Sequence, residues 1–260
     1  MAVTEHMRQA QSRMLGAAQR RISAARRPVS EALPRRTRRL REHEFLRELV
    51  ARTHNFRDVT WLGHPIWQNV LDLWSLQEAI SEIRPALLLE TGTYRGGSAL
   101  FYAHLFDLLG HGRVVTVDVE RRHQLEHARI DFLIGSSVSE SVLDRMRAAV
   151  AAADGPVLVV LDSDHSQEHV AAELAAYHHF VTPGSLLLCQ DGIIDELRSF
   201  RRYRPGPLPA IREFLIAHPQ FKVDERYNRR FFVTHHPDGW LRRGAREYEP
   251  TDRPAACVAI

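Results

Sequence analysis

Four short, largely apolar runs, each stopping at an acid, constrain this chain more than any other feature. They are Ala86–Leu89 before Glu90, Arg113–Val117 before Asp118, Val157–Leu161 before Asp162, and Ser185–Cys189 leading to Asp191. Helical patterns at Ser98–Leu109, Ser139–Ala153 and Glu168–Phe180 alternate with them, and a weaker strand is read at Phe132–Ile134. Continuous apolar strands are buried on both faces, which requires helices on each side of a parallel sheet. The expected fold class is therefore α/β, a doubly wound and mostly parallel sheet. Ligands of such sheets bind beyond the carboxyl ends of the strands. Four terminal acids thus predict one organised rim.

The flanks are different. Residues 1–41 hold eleven arginines and two glutamates, about +9, while the remainder carries 24 basic against 30 acidic residues. The overall charge of +3 therefore belongs to an arm, and a nucleic-acid role argued from basicity would be misplaced. The arm reads as a helix over Met7–Val29, suited to oligomer packing or to weak contact with an anionic membrane surface. A second helix is expected at Glu42–Thr53, giving a helical extension over residues 1–55. Trp61, Trp67 and Trp74 surround an amphipathic helix at Gln68–Ile83. Beyond the sheet, Arg204–Pro209 reads as a rigid loop and Ile211–Ala217 as a short helix. Phe221–Val223 and Arg230–Thr234 read as a closing antiparallel hairpin. The main domain is expected over 56–244, with a patternless tail over 245–260. Two cysteines, Cys189 and Cys257, make no disulfide framework. No apolar stretch is long enough to span a bilayer and no signal-type h-region is seen, so the expected location is the cytoplasm.

The loop after the first strand is Glu90-Thr-Gly-Thr-Tyr-Arg-Gly-Gly-Ser98. Gly92 and Gly96 permit close backbone approach to a ligand, and Ser98 is a candidate helix N-cap. The spacing is not G-x-G-x-x-G, so a dinucleotide pyrophosphate fits poorly. Asp118 at the next strand end can accept both ribose hydroxyls of an adenosine. An adenosine ligand without phosphate, S-adenosylmethionine (SAM), meets both conditions.

These residues, with Trp61-Leu-Gly, Leu161-Asp-Ser-Asp-His165, His169, Glu173, Thr182-Pro-Gly-Ser185 and Pro237-Asp-Gly-Trp-Leu241, resemble the cephalosporin hydroxylase-like and rhamnosyl O-methyltransferases, a family of class I SAM-dependent methyltransferases with a Rossmann-like sheet. The resemblance covers roughly 60–243. It implies a cofactor site built from Glu90, Gly92, Thr93, Tyr94, Gly96, Ser98, Asp118, Ser136 and Asp162. It also implies His165 and Asp162 as catalytic residues, and Mg²⁺ at Asp162, Gln190 and Asp191. The family's metal site ends in a Glu-Asp pair. Here Gln190 stands in the Glu position, leaving the donor set one charge short.

The implied reaction is transfer of a methyl group to a hydroxyl of a sugar or a glycosylated or hydroxylated natural product. His165 would take the proton, a task suited to imidazole, and the metal would stabilise the developing alkoxide. The competing reading is a SAM-binding accessory subunit that has lost turnover, which Gln190 favours. His169, His178 and His179 read as structural or solvated. The acceptor pocket is expected from Pro205–Pro209, the Trp61 region and the His235–Trp240 loop. The chain is expected to form a homo-oligomer and to bind no specific nucleic acid.

Overall fold

The computed structural model describes residues 33–245; the arm read as a helix at Met7–Val29 and most of the tail lie outside them. Helix α1 (Arg35–Arg52) starts earlier than the apolar pattern suggested. A two-stranded ribbon follows, β1 (Thr60–Trp61) with β2 (His64–Pro65), which the sequence did not announce. Then come α2 (Val70–Ile83), β3 (Leu87–Thr91), α3 (Gly97–Leu109), β4 (Arg113–Asp118), β5 (Ile130–Ile134), α4 (Glu140–Ala151), β6 (Val157–Leu161), α5 (Gln167–Tyr177) and β7 (Leu186–Cys189). After β7 the chain makes 3-10 turns at Gly192–Asp195 and Arg198–Tyr203. It ends in α6 (Pro207–Ala217), β8 (Phe221–Val223), the short α7 (Glu225–Asn228) and β9 (Trp240–Arg243).

The main sheet has seven strands in the order β5-β4-β3-β6-β7-β9-β8. The first five are parallel, and β9 runs antiparallel between β7 and β8. Alternate strand residues feed opposite layers, as the pleat requires. Leu87, Leu89, Val115, Val157 and Val159 pack with Val142, Met146, Leu174 and Ile211 of α4, α5 and α6. Leu88, Val114, Leu158 and Val160 pack with Leu76, Ile80, Tyr102 and Phe106 of α2 and α3. Strands β3 and β6 are buried at every residue, which explains why they read as unbroken apolar runs.

Three local expectations need correction. The closing strand is Trp240–Arg243, not Arg230–Thr234. Trp240 is fully buried against β7, whereas Val233 is drawn into a separate cluster with Leu46, Ile193 and Leu197. The Arg204–Pro209 segment is loop only in part, because Pro207 opens α6, a position where its missing N–H is harmless. Ser98 is not a cap: Gly96 takes the N-cap position of α3 at φ 77°, and Ser98 lies inside the helix. No helix of the described residues is long and apolar enough to cross a membrane.

Trp240 fills the layer beneath α2, and its indole N–H donates to Thr234 Oγ1 at 3.2 Å. Trp240→Ala should cost about 3–5 kcal/mol of stability, read by urea unfolding. A loss below about 1 kcal/mol would remove this residue from the core.

Candidate active site

The strand order reverses between β3 and β6, and the chain leaves their carboxyl ends in opposite directions. That is where a crevice must open. A cavity of about 800 Å³ lies there, walled by the loops after β3, β4, β5, β6 and β7. Gly92 is forced by packing: it has φ 88°, and a Cβ would lie 1.9 Å from the Asp162 carbonyl oxygen. The two central loops touch through backbone alone.

On the β4 side the Tyr94 backbone N–H donates to Asp118 Oδ2 at 2.7 Å, which fixes the carboxylate at the cavity edge. Gly92, Thr93, Tyr94, Ser98, Asp118 and Ser136 all line the cavity. Glu90 and Gly96 do not. Glu90 is wholly buried inside β3 and accepts from Thr116 Oγ1 at 2.6 Å, while Thr116 also meets Thr93 Oγ1 at 2.6 Å. Burial pushes the Glu90 carboxyl from 4.5 up to about 7, against the lowering effect of Ser98 and Thr116. A group so placed supports the glycine loop from beneath. Gly96 faces Leu125 and His123 and serves the helix start.

On the β6 and β7 side the acids and imidazoles converge. His165 Nε2 stands 3.3 Å from Asp191 Oδ2 and 4.0 Å from Asp162 Oδ1. Gln68 Nε2 donates to Asp162 Oδ2 at 2.8 Å. His235 Nδ1 lies 2.8 Å from Asp191 Oδ1, and His236 Nδ1 accepts the Asp191 backbone N–H at 2.9 Å. Burial raises the Asp162 carboxyl well above the usual range, helped by repulsion from Asp191, Glu90 and Glu173. Burial alone would raise Asp191 as well, but His165, His235 and His236 hold it far below that range. The buried Gln190 side chain joins the wall, with its Nε2 unpartnered.

The structure thus gathers Asp162, His165, Gln190 and Asp191 as the sequence implied. The ligand atoms of Asp162, His165 and Asp191 lie within 4.8 Å of one another. It also brings in residues that pattern reading missed. His169, read as structural, lines the cavity beside Ser137. Asn55, Phe56, Gln68, Phe200 and Tyr203 line it too, while Trp61 and 205–209 stay outside. Phe56 meets the His235 ring edge-on at 4.9 Å, and Trp67 lies 5.3 Å from Tyr94. No motif marks these aromatics; only the return of distant loops to one cavity does.

A doubly wound sheet with a glycine turn after β3, an acid after β4 and an acid–imidazole cluster after β6 and β7 defines a class I SAM-dependent O-methyltransferase. Comparison with known proteins narrows the class. The family model described as Rhamnosyl O-methyltransferase/CmcI matches residues 53–244, and the chain belongs to that family. It is 31% identical over 190 residues to the rhamnosyl O-methyltransferase of Mycobacterium tuberculosis, covering 71% of this chain and 78% of that protein. It is 30% identical over 189 residues to the Mycobacterium leprae protein of the same name, covering 71% and 82%. Among solved structures, apo CmcI aligns with TM-score 0.57 at 22% identity, covering 74% of this chain and 78% of that one. A CmcI structure with Mg and SAM aligns with TM-score 0.57 at 21% identity and the same coverage. These structures share the fold. The methyl donor of the family is SAM.

Glu90 sets a pH dependence. Its folded pKa lies above the ordinary value, so the folded chain holds a proton that the unfolded chain releases. The contribution of Glu90 to stability is then full below pH 4.5 and declines until about pH 7. Glu90→Gln should flatten that decline, by at most about 3 kcal/mol. Urea melts from pH 4 to 8 that keep the wild-type slope would assign it to another group.

Proposed function

We propose that the chain methylates a hydroxyl of a sugar, free or attached to a natural product, with a divalent cation at Asp162, Gln190 and Asp191. The observation that carries this reading is the convergence of His165, Asp162 and Asp191 on one face of a cavity whose other face is the Tyr94–Asp118 edge. The donor set fits a hard cation. Two carboxylates stand together, burial and neighbouring acids disfavour the charge of Asp162, and positive charge would relieve that repulsion. Gln190 lines the same cavity, and the oxygen of a glutamine amide is a neutral donor that a hard cation accepts. When bound, the cation supplies positive charge against the acceptor oxygen as its proton leaves.

The remaining work falls to side chains. Asp118 accepts the ribose hydroxyls, and the Gly92–Tyr94 backbone holds the methionine end. The acceptor sugar lies against the Trp67, Phe56 and Phe200 wall. His165 receives the hydroxyl proton, and Asp191 Oδ2, 3.3 Å from its Nε2, stabilises the imidazolium. Closing the acceptor oxygen onto the methyl group supplies most of the remaining rate gain.

Calorimetry of SAM binding tests the first assignment. Asp118→Ala should weaken affinity about tenfold or more by removing a partly buried charge-assisted contact; unchanged affinity would withdraw the ribose role. Methyl transfer from labelled SAM to an aryl rhamnoside, with Mg²⁺ supplied, tests the second. His165→Ala should lower turnover roughly 10²–10⁴-fold and leave SAM affinity within about twofold. A fully active variant excludes His165 as base. Methylation that survives a chelator excludes the cation. A chain that binds SAM yet methylates no hydroxylated acceptor would favour the accessory-subunit reading instead.

A further inference from the structure

Beneath the cavity wall lies a carboxylate that none of these steps uses. Asp72, in the first turn of α2, is 3% exposed and does not line the cavity. Its Oδ2 accepts from Asn69 Nδ2 and from the His235 backbone N–H, each at 2.7 Å, and its Oδ1 accepts from Thr234 Oγ1 at 2.7 Å. The Thr234 hydroxyl also accepts the His236 backbone N–H at 3.0 Å. One buried side chain therefore fixes the backbone of residues 234–236.

That turn faces Asp191 from the other side. His236 Nδ1 accepts the Asp191 N–H, so its proton must sit on Nε2, the atom 3.8 Å from Asp72 Oδ2. His235 presents Nδ1 to Asp191 Oδ1 and so carries its proton there. The adjacent histidines hold opposite tautomers, one gripping the Asp191 backbone and the other its carboxylate. The grip holds Asp191 in place: its φ of 60° is a left-handed conformation that L side chains rarely adopt.

We infer that Asp72 is a positioning residue. From outside the cavity it fixes the Thr234–His236 turn, which sets both the backbone conformation and the carboxylate direction of Asp191. The consequence for chemistry rests on reading Asp191 as a cation ligand. Supports of this kind are commonly worth ten- to a hundredfold in metal affinity.

The test compares the full chain with Asp72→Asn, which keeps the shape but turns an amide donor toward groups that already donate. Long-range ¹H–¹⁵N spectra should show Nδ1–H for His235 and Nε2–H for His236 in the wild type. In the variant His235 should lose its single tautomer. Asp191 amide exchange should quicken at least about tenfold relative to Val159, a β6 amide. Mn²⁺ affinity by electron paramagnetic resonance should fall about tenfold, with SAM affinity within about twofold. Unchanged tautomers and unchanged Asp191 exchange would overturn the inference, as would equal quickening at Val159, which marks general loosening. Should Asp72→Asn fail to fold, Thr234→Val cuts the same link and is judged by the same signals. A wild-type chain that binds no Mn²⁺ removes the cation reading; the positioning of Asp191 is then decided by tautomer and exchange alone.

Discussion

Backbone meets backbone where the loop after β3 crosses the loop after β6. Every functional feature of the molecule depends on that contact. A side chain at residue 92 would collide with the Asp162 carbonyl, so glycine lets the two central strands deliver their loops to one point. With the loops in contact, the edge at Tyr94 and Asp118 and the acid cluster at Asp162 and Asp191 line a single cavity. Pushed apart, the same residues would form two unrelated surfaces. The site is thus a consequence of sheet topology first and of side-chain chemistry second.

The second layer of the design is electrostatic. Glu90, Asp162, Glu173 and Asp191 crowd the carboxyl ends of three strands, and burial penalises the charges of Glu90, Asp162 and Asp191. The chain answers unevenly. Asp191 is surrounded by imidazoles and stays ionised, Glu90 is drawn toward its neutral form, and Asp162 has one amide partner in Gln68. Unequal neutralisation leaves one place where added positive charge would be most welcome. That place lies between Asp162 and Asp191, beside His165. Gln190, next to Asp191, adds no negative charge to this crowd.

Much of this was legible in the chain itself, for physical reasons. Strands buried on both faces leave uninterrupted apolar runs, so β3 and β6 were readable almost residue by residue. Asp118, Asp162 and Asp191 were readable because a strand end in this fold has one rim to point toward. Glu90 shows the limit of the same logic. It ends an apolar run like the others, yet β3 continues through Thr91, and the carboxylate stays within the sheet. The closing strand was misplaced because Arg230–Thr234 has the stronger β-forming composition, while Trp240–Arg243 has the better partner in β7. Phe56, Gln68 and Phe200 could not be found from periodicity, since their importance comes from which loops meet. Asp72 reads as an ordinary acid in a first helical turn, favourable to the helix dipole; its long-range partners at 234 and 235 carry no local trace.

The position of β9 has a consequence for how the chain acquires this form in a cell. The last strand among the described residues, β9, is an interior strand seated between β7 and β8. A ribosome must therefore release the chain through Arg243 before β8 has any neighbour and before β7 gains its second one. Until then a hydrogen-bonding edge of the five parallel strands stays open, the kind of edge that recruits other chains. Assembly of this domain is in that sense held back until β9 has been made.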